Sequence, residues 1–320
     1  MGVVISGSVP GWLAKEYPFH PRTFQTPGGA RMSYVDEGPR KSEAVLMLHG
    51  NPTWSFYYRH LVHEIVPSMR CIVPDHVGMG LSEKPQDYDY TLASRIADIE
   101  ALVQSLGLTR IHLVVHDWGG AIGFGFAMRF KSARSPGPRP RTPIWDKSAP
   151  IGRIVVLNTA AFTSRHIPYR IAVCRLPRLG PIIVRGANGF ARAATFMTMH
   201  RRRLTRLEKR AYLWPYDTWE NRVAVDAFVR DIPRHPGDPS WSTLKEIEGA
   251  LVDFQEHRSM IIWGGRDFCF NHQFHHEWRR YLPGAAVQWI DDAGHYVLED
   301  ARRETMRLIP EFLLRTGLEN

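Results

Sequence analysis

The stretch Val114-Val115-His116-Asp117-Trp118-Gly119-Gly120 restricts this chain more than any other. The apolar run Ile111–Val115 predicts a buried strand, and Ala121–Phe130 predicts a helix. Asp117 therefore stands at a sharp strand-to-helix turn, the kind that pushes one side chain out at the top of a sheet. A serine at such a turn attacks a carbonyl carbon with a base to take its proton. A carboxylate is already ionised at neutral pH and can displace a leaving group from an alkyl carbon directly.

Such a turn predicts partners, and they follow in order. Met260-Ile261-Ile262-Trp263 is closed by Gly264-Gly265-Arg266-Asp267, and Val287-Gln288-Trp289-Ile290 leads to Ala293-Gly294-His295. Nucleophile, acid, histidine is the chain order of the α/β-hydrolase fold. Upstream, Ala44–Leu48 runs into His49-Gly50-Asn51-Pro52-Thr53-Trp54, a tight loop where a backbone N–H of an oxyanion hole belongs. The competing account makes His295 a surface histidine and Asp117 a helix N-cap. It leaves the joint order of the signals unexplained.

Strands are expected near Thr23–Gln25, Arg31–Asp36, Ala44–Leu48, Arg70–Pro74, Ile111–Val115, Arg153–Leu157, Met260–Trp263 and Val287–Ile290. Helices are expected over Ser55–Val66, Leu92–Leu106, Trp118–Phe130, His272–Tyr281 and Glu299–Leu314. Strands alternating with helices predict an eight-stranded, mostly parallel sheet covered on both faces, its first two strands forming an antiparallel edge. Asn51, Asp117, Asp267 and His295 would all sit beyond the carboxyl ends of strands. The strand rhythm stops after Asn158, so residues 1–158 and 256–320 are read as core and 159–255 as an inserted helical cap. Such a cap would close a dry pocket. Lys131–Pro150 is basic and holds five prolines in 20 residues. It is expected to be a mobile loop rather than helix or central strand. The charges of Arg95–Glu100 are expected on a solvated helix face, because Ile96, Ile99, Leu102, Val103 and Leu106 set the apolar spacing.

The formal charge of +9 raises the question of nucleic acid or membrane. The excess is local, at Arg129–Arg141 and Arg201–Arg210, and no nucleic-acid module accompanies it. A solvated basic surface is the plainer account; peripheral contact with a membrane or a partner enzyme is the alternative. No apolar run approaches the roughly 20 residues of a bilayer span. Met1–Pro10 has no secretory pattern. Cys71, Cys174 and Cys269 are widely spaced and odd in number, which suits free thiols. A cytoplasmic protein is expected; the oligomeric state is left open.

Four motifs together carry a resemblance: His49-Gly50-Asn51-Pro52-Thr53-Trp54-Ser55, Val115-His116-Asp117-Trp118-Gly119-Gly120, Trp263-Gly264-Gly265-Arg266-Asp267 and Gly294-His295. From Pro10 to Leu313, the Pro-rich loop aside, the chain resembles the haloalkane dehalogenases, α/β-hydrolases with an aspartate nucleophile. Its likeness is to their third subfamily, which overlaps with the β-lactone decarboxylases of bacterial long-chain olefin biosynthesis.

The resemblance implies hydrolytic dehalogenation of a small apolar haloalkane. Asp117 would form an alkyl-enzyme ester, His295 would activate water against it, and Asp267 would orient the imidazole and stabilise its charge. Backbone N–H groups of Asn51 and Trp118 would form the oxyanion hole, while the Asn51 amide and Trp118 indole would hold the halide. No metal or organic cofactor is implied. A second subfamily puts a glutamate after the sixth strand, where this chain has Asn158-Thr159-Ala160. Asp267 is therefore the expected acid, and Asp291 and Asp292 are turn residues.

The same site suits a β-lactone, opened by Asp117 and losing carbon dioxide to leave an alkene. An epoxide hydrolase is the other alternative and would need cap tyrosines such as Tyr169, Tyr212 or Tyr216. Pro181–Val184 and Thr195–Met199 could line the pocket, and core packing is the plainer account of them. Arg222 would either face a carboxylate-bearing substrate or form a structural ion pair.

Overall fold

The computed structural model describes residues 9–134 and 150–315, so the Pro-rich stretch expected to be mobile lies, from 135 to 149, outside the described residues. One sheet runs β1 (Arg22–Gln25), β2 (Arg31–Glu37), β4 (Arg70–Pro74), β3 (Glu43–Leu48), β5 (Arg110–Asp117), β6 (Ile151–Thr159), β7 (Ser259–Gly264) and β8 (Ala286–Ile290). β1 and β2 are antiparallel to their neighbours, and the rest run parallel. This is the α/β-hydrolase architecture expected from the motif order.

Why β3 and β5 sit in the middle is visible in their composition. Glu43-Ala-Val-Leu-Met-Leu48 and the apolar stretch of β5 are buried along both faces, as central strands of a parallel sheet must be. The pleat then sorts the side chains. Leu46, Leu48, Leu113 and Val115 pack with Ile96 of helix α2 (Leu92–Ser105) and Ile122 of helix α3 (Trp118–Arg134). Val45, Met47 and Val114 point the other way, to Leu61 of helix α1 (Arg59–Ile65) and Ile309 of the helix Arg302–Leu314.

Three local expectations need correction. Helix α3 extends to Arg134, into the stretch read as non-helical, because its first proline is Pro136; Lys131 anchors this end by donating to the Asp253 carbonyl at 3.0 Å. The helix expected over Glu299–Leu314 breaks at Ala301 into Val297–Asp300 and Arg302–Leu314. The charges on α2 are not all solvated: Arg95 and Asp98 are buried, Arg95 pairs with Asp231 at 2.9 Å and its guanidinium lies 3.6 Å over the Phe228 ring. Apolar spacing identified the helix face, but it could not reveal that a second layer covers the polar flank.

Between β6 and β7 lie the helices Tyr169–Cys174, Gly189–Met197, Arg206–Leu213 and Val223–Arg230, followed by Trp241–Ala250. The last behaves as a core helix: its Ile247 packs near Gly125 of α3, and the Ser240 hydroxyl before it accepts from the Leu92 N–H of α2 at 2.9 Å.

A buried charge network ties these layers together. Arg59 donates to Glu299 and reaches Glu208 of the helix Arg206–Leu213 at 3.4 Å, while Arg202 and Arg302 bond the same two carboxylates. Breaking a buried pair by removing one partner costs roughly 3–5 kcal/mol. Glu299 would retain Arg202 and Arg302, so Arg59→Leu is expected near the lower end, about 3 kcal/mol. A shift of the urea midpoint of that size, at unchanged slope, is the check.

Candidate active site

The turn after β5 is as sharp as its sequence implies. Asp117 has φ 53°, in the left-handed region that costs a non-glycine residue about 1–3 kcal/mol. A Cβ at Gly119 would lie under 3.0 Å from the Leu48 carbonyl, and one at Gly50 would collide with the Asp117 carboxylate. Only glycine allows α3 to start against β3 and the Gly50 loop to close over Asp117. The Thr159 hydroxyl at the end of β6 bonds the Asp117 carbonyl and holds the turn from the far side.

The five residues singled out in the sequence converge here. The Asn51 N–H donates to Asp117 Oδ1 at 2.7 Å. His295 Nε2 lies 3.5 Å from Asp117 Oδ2, and its Nδ1 is 2.7 Å from Asp267 Oδ2. Trp118 lines the same cavity and packs edge-to-face on Phe228 at 5.4 Å. Asp291 and Asp292 face outward, to the Trp289 indole N–H and to Arg201, as expected of turn residues.

Three supporting residues escaped the sequence reading. Asn158, in the place checked for a glutamate, donates to Asp267 Oδ2 at 2.9 Å and accepts from the Gly264 N–H at 2.8 Å. His116 lies 4.5 Å ring to ring from His295, and its Nε2 is 2.9 Å from the His295 carbonyl. Asp300 accepts from the N–H groups of Gly294 (2.7 Å), His200 (2.7 Å) and Arg201 (3.0 Å), joining the histidine loop to the helical segment. Asn158 and His116 had one signal, position at strand ends, and Asp300, on the helix Val297–Asp300, had none.

A cavity of about 400 Å³ opens above Asp117, lined mostly by apolar side chains such as Phe162, Ile171, Ile183, Phe190, Met197 and Phe274. Ile183 and Met197, from the two stretches read chiefly as core packing and as able to line a pocket, do line it; in the same stretches Ile182 and Phe196 are exposed. The Asn51 amide donates to the Val225 carbonyl at 3.0 Å.

The cap tyrosines considered for an epoxide hydrolase do not line the cavity. Tyr212 donates to Glu299 at 2.8 Å, Tyr216 to the Thr53 carbonyl at 3.3 Å, and Tyr169 is exposed. Among the described residues the one tyrosine in the lining is Tyr296. Arg222 fits neither of its expected roles. It is buried and donates to the backbone carbonyls of Tyr216 and Asp217, both at 2.7 Å, so it clamps a turn.

Charge decides the protonation pattern. Burial alone would lower the His295 pKa, but the Asp267 charge and the bonds to Asp117 and Asp267 outweigh it and raise it to about 10. Burial would likewise raise Asp117, yet its bond to His295 and that residue's charge hold the carboxyl below its ordinary value. The resting site is thus an imidazolium between two carboxylates. A raised histidine pKa stabilises the fold fully below its ordinary 6.5, and that contribution is lost as pH rises through about 10. In Asp117→Asn one of the two anions is gone, so the His295 ring should titrate well below the wild-type value. Following its ring resonances by NMR gives the answer; an unmoved titration would mean that Asp117 does not hold the proton there.

Comparison with known proteins gives the family and the fold. Residues 43–136 match the alpha/beta hydrolase fold family. The chain is 43% identical over 313 residues to a cis-3-alkyl-4-alkyloxetan-2-one decarboxylase of Xanthomonas campestris pv. campestris, covering 94% of this chain and 98% of that one. It is 29% identical over 276 residues to a haloalkane dehalogenase of Mycolicibacterium paratuberculosis, covering 84% and 83%. The crystal structure of haloalkane dehalogenase DbeA from Bradyrhizobium elkani superposes with a TM-score of 0.78 at 24% identity, over 92% of this chain and 97% of that one, a likeness of fold. The chain is therefore an enzyme of the α/β-hydrolase family, in the branch that holds the haloalkane dehalogenases and the cis-3-alkyl-4-alkyloxetan-2-one decarboxylases.

Proposed function

We propose that this enzyme converts a cis-3,4-dialkyl β-lactone into an alkene and carbon dioxide, with Asp117 as nucleophile, His295 and Asp267 as its charge partners, and the helices between Tyr169 and Arg230 as the cap. The observation that carries this reading is the likeness, along nearly the whole of both chains, to a protein named for that reaction. The cavity supports it. Its volume of about 400 Å³ and its largely apolar lining suit a substrate with alkyl chains.

The chemistry balances without water. Asp117 attacks the alkyl-bearing sp3 ring carbon next to the ring oxygen, the bond between that carbon and the ring oxygen breaks, and the oxygen leaves as part of a carboxylate. The bond from that carboxylate to carbon then breaks, its electrons form the double bond, and Asp117 is expelled as carboxylate. Inversion at the first step and anti elimination at the second convert a cis ring into a cis alkene. The Asn51 side-chain amide and the Trp118 indole N–H are donors suited to the departing carboxylate. The protonated His295 stays beside Asp117 throughout and offsets the charge that Asp117 regains.

Hydrolytic dehalogenation is the second reading, supported by the same neutral donors, which can hold a halide. In that reaction the alkyl ester neutralises Asp117, so His295 loses one of its two anions, releases its proton to solvent and becomes a base able to activate water.

Product analysis separates the two. With a cis-dialkyl β-lactone and with 1-bromoalkanes as parallel substrates, alkene and carbon dioxide should form rapidly from the lactone while halide release stays slow. Fast halide release with little alkene would reverse the order. Asp117→Ala should lose at least about 10⁴-fold in rate on either substrate; activity that survives this change would sink the aspartate mechanism. Trp118→Phe removes one donor and keeps the ring, and should lower kcat by about 10²–10³-fold with little change in KM.

A further inference from the structure

From Arg165 to Met197 the chain holds six arginines (Arg165, Arg170, Arg175, Arg178, Arg185 and Arg192) and neither an aspartate nor a glutamate. None of the six forms an ion pair with a described carboxylate; Arg175 and Arg185 bond backbone carbonyls and Gln86 instead. The same elements leave large apolar side chains in solvent. Tyr169 is 71% exposed, Ile182 61% and Phe196 55%, with Leu176 and Leu179 between them also exposed. Single exposed apolar residues need no explanation, but five on neighbouring short elements make a patch.

The position of the patch gives it meaning. The helices Tyr169–Cys174 and Gly189–Met197 and the turn Ile182–Gly186 put their inner residues, Ile171, Ile183 and Phe190, into the cavity above Asp117. Their outer residues form the patch. Arg170 and Ala193 are exposed and line the cavity as well, so its mouth opens within this surface.

We propose that this face of the cap docks on an anionic lipid bilayer, with Leu176, Leu179, Ile182 and Phe196 entering the headgroup boundary and the arginines pairing with lipid phosphates. Apolar side chains flanked by arginine are the pattern of helices that lie in a membrane interface. The excess of positive charge, offset only at Arg175 by Asp231 and Asp238 and at Arg185 by Asp226 and Glu220, selects an anionic surface over an apolar protein groove, since each arginine near such a surface strengthens binding. No helix among the described residues is long and apolar enough to cross a membrane, so the contact is peripheral. Docked in this way, the mouth faces the phase in which a long-chain lactone dissolves. That last consequence rests on the proposed substrate; the docking does not.

The test is cosedimentation of the full chain with vesicles of phosphatidylcholine and phosphatidylglycerol in equal parts, and with phosphatidylcholine alone, alongside light scattering for mass. Binding to the anionic vesicles should exceed binding to the neutral ones and fall as salt is raised. Arg178→Gln and Arg192→Gln should each weaken it by roughly fivefold. The double variant Leu179→Glu, Ile182→Glu should abolish it while turnover of a short-chain β-lactone in solution is unchanged.

Equal binding to both vesicles, or to neither, overturns the proposal. So does a self-associated chain that binds no vesicle and becomes monomeric in the double variant, which would make the face a contact between copies. Since binding is read without turnover, a failed substrate assignment cannot be mistaken for failed docking.

Discussion

The left-handed backbone at Asp117 is the constraint from which the site follows. At φ 53° the carboxylate is turned up from β5 toward the Gly50–Asn51 loop and His295; in an extended conformation it would continue the alternation of the strand. The strain persists because the surroundings over-determine it. β5 is gripped between β3 and β6, Thr159 bonds its last carbonyl, and the glycines beside it leave no room for another arrangement. A loop without such neighbours would relax.

Two carboxylates flank one imidazole, and their surroundings separate their roles. Asp267 accepts from the N–H groups of Cys269 and Phe270 and from the Asn158 amide in addition to His295, so its lone pairs are committed. Asp117 has a single backbone donor, Asn51, and opens onto the cavity. The oxygen with fewer partners suits the nucleophile's part in the proposed reaction. The same comparison favours Asp267 as the orienting acid without reference to where related enzymes carry theirs.

Much of this was legible because it is local. Apolar runs located the central strands, the predicted edge strand Thr23–Gln25 also falls on a strand, and the order of Asp117, Asp267 and His295 along the chain implied the order of their strand ends. Asn51 was legible as part of its loop. What stayed hidden depends on contacts between distant segments. Arg95 reads as a surface charge until Asp231 and Phe228 from the helical segment cover it. Arg222 looks like a substrate ligand until the carbonyls of Tyr216 and Asp217 close around its guanidinium. The helix Trp241–Ala250 carries no mark that separates it from the helices before it; only the fold shows that it packs against α2 and α3.

The sequence by itself determined the α/β-hydrolase architecture, the aspartate at the turn and the identity of its partners. Strand periodicity, glycine placement and motif order are properties of neighbouring residues, so the chain carries them without its fold. The tertiary structure alone decided the protonation of His295, the support given by Asn158, His116 and Asp300, and the size of the cavity. Each of these is a property of distance and desolvation between segments up to 179 residues apart in the chain. Spacing cannot encode such quantities, because burial and Coulomb interactions depend on separation in space.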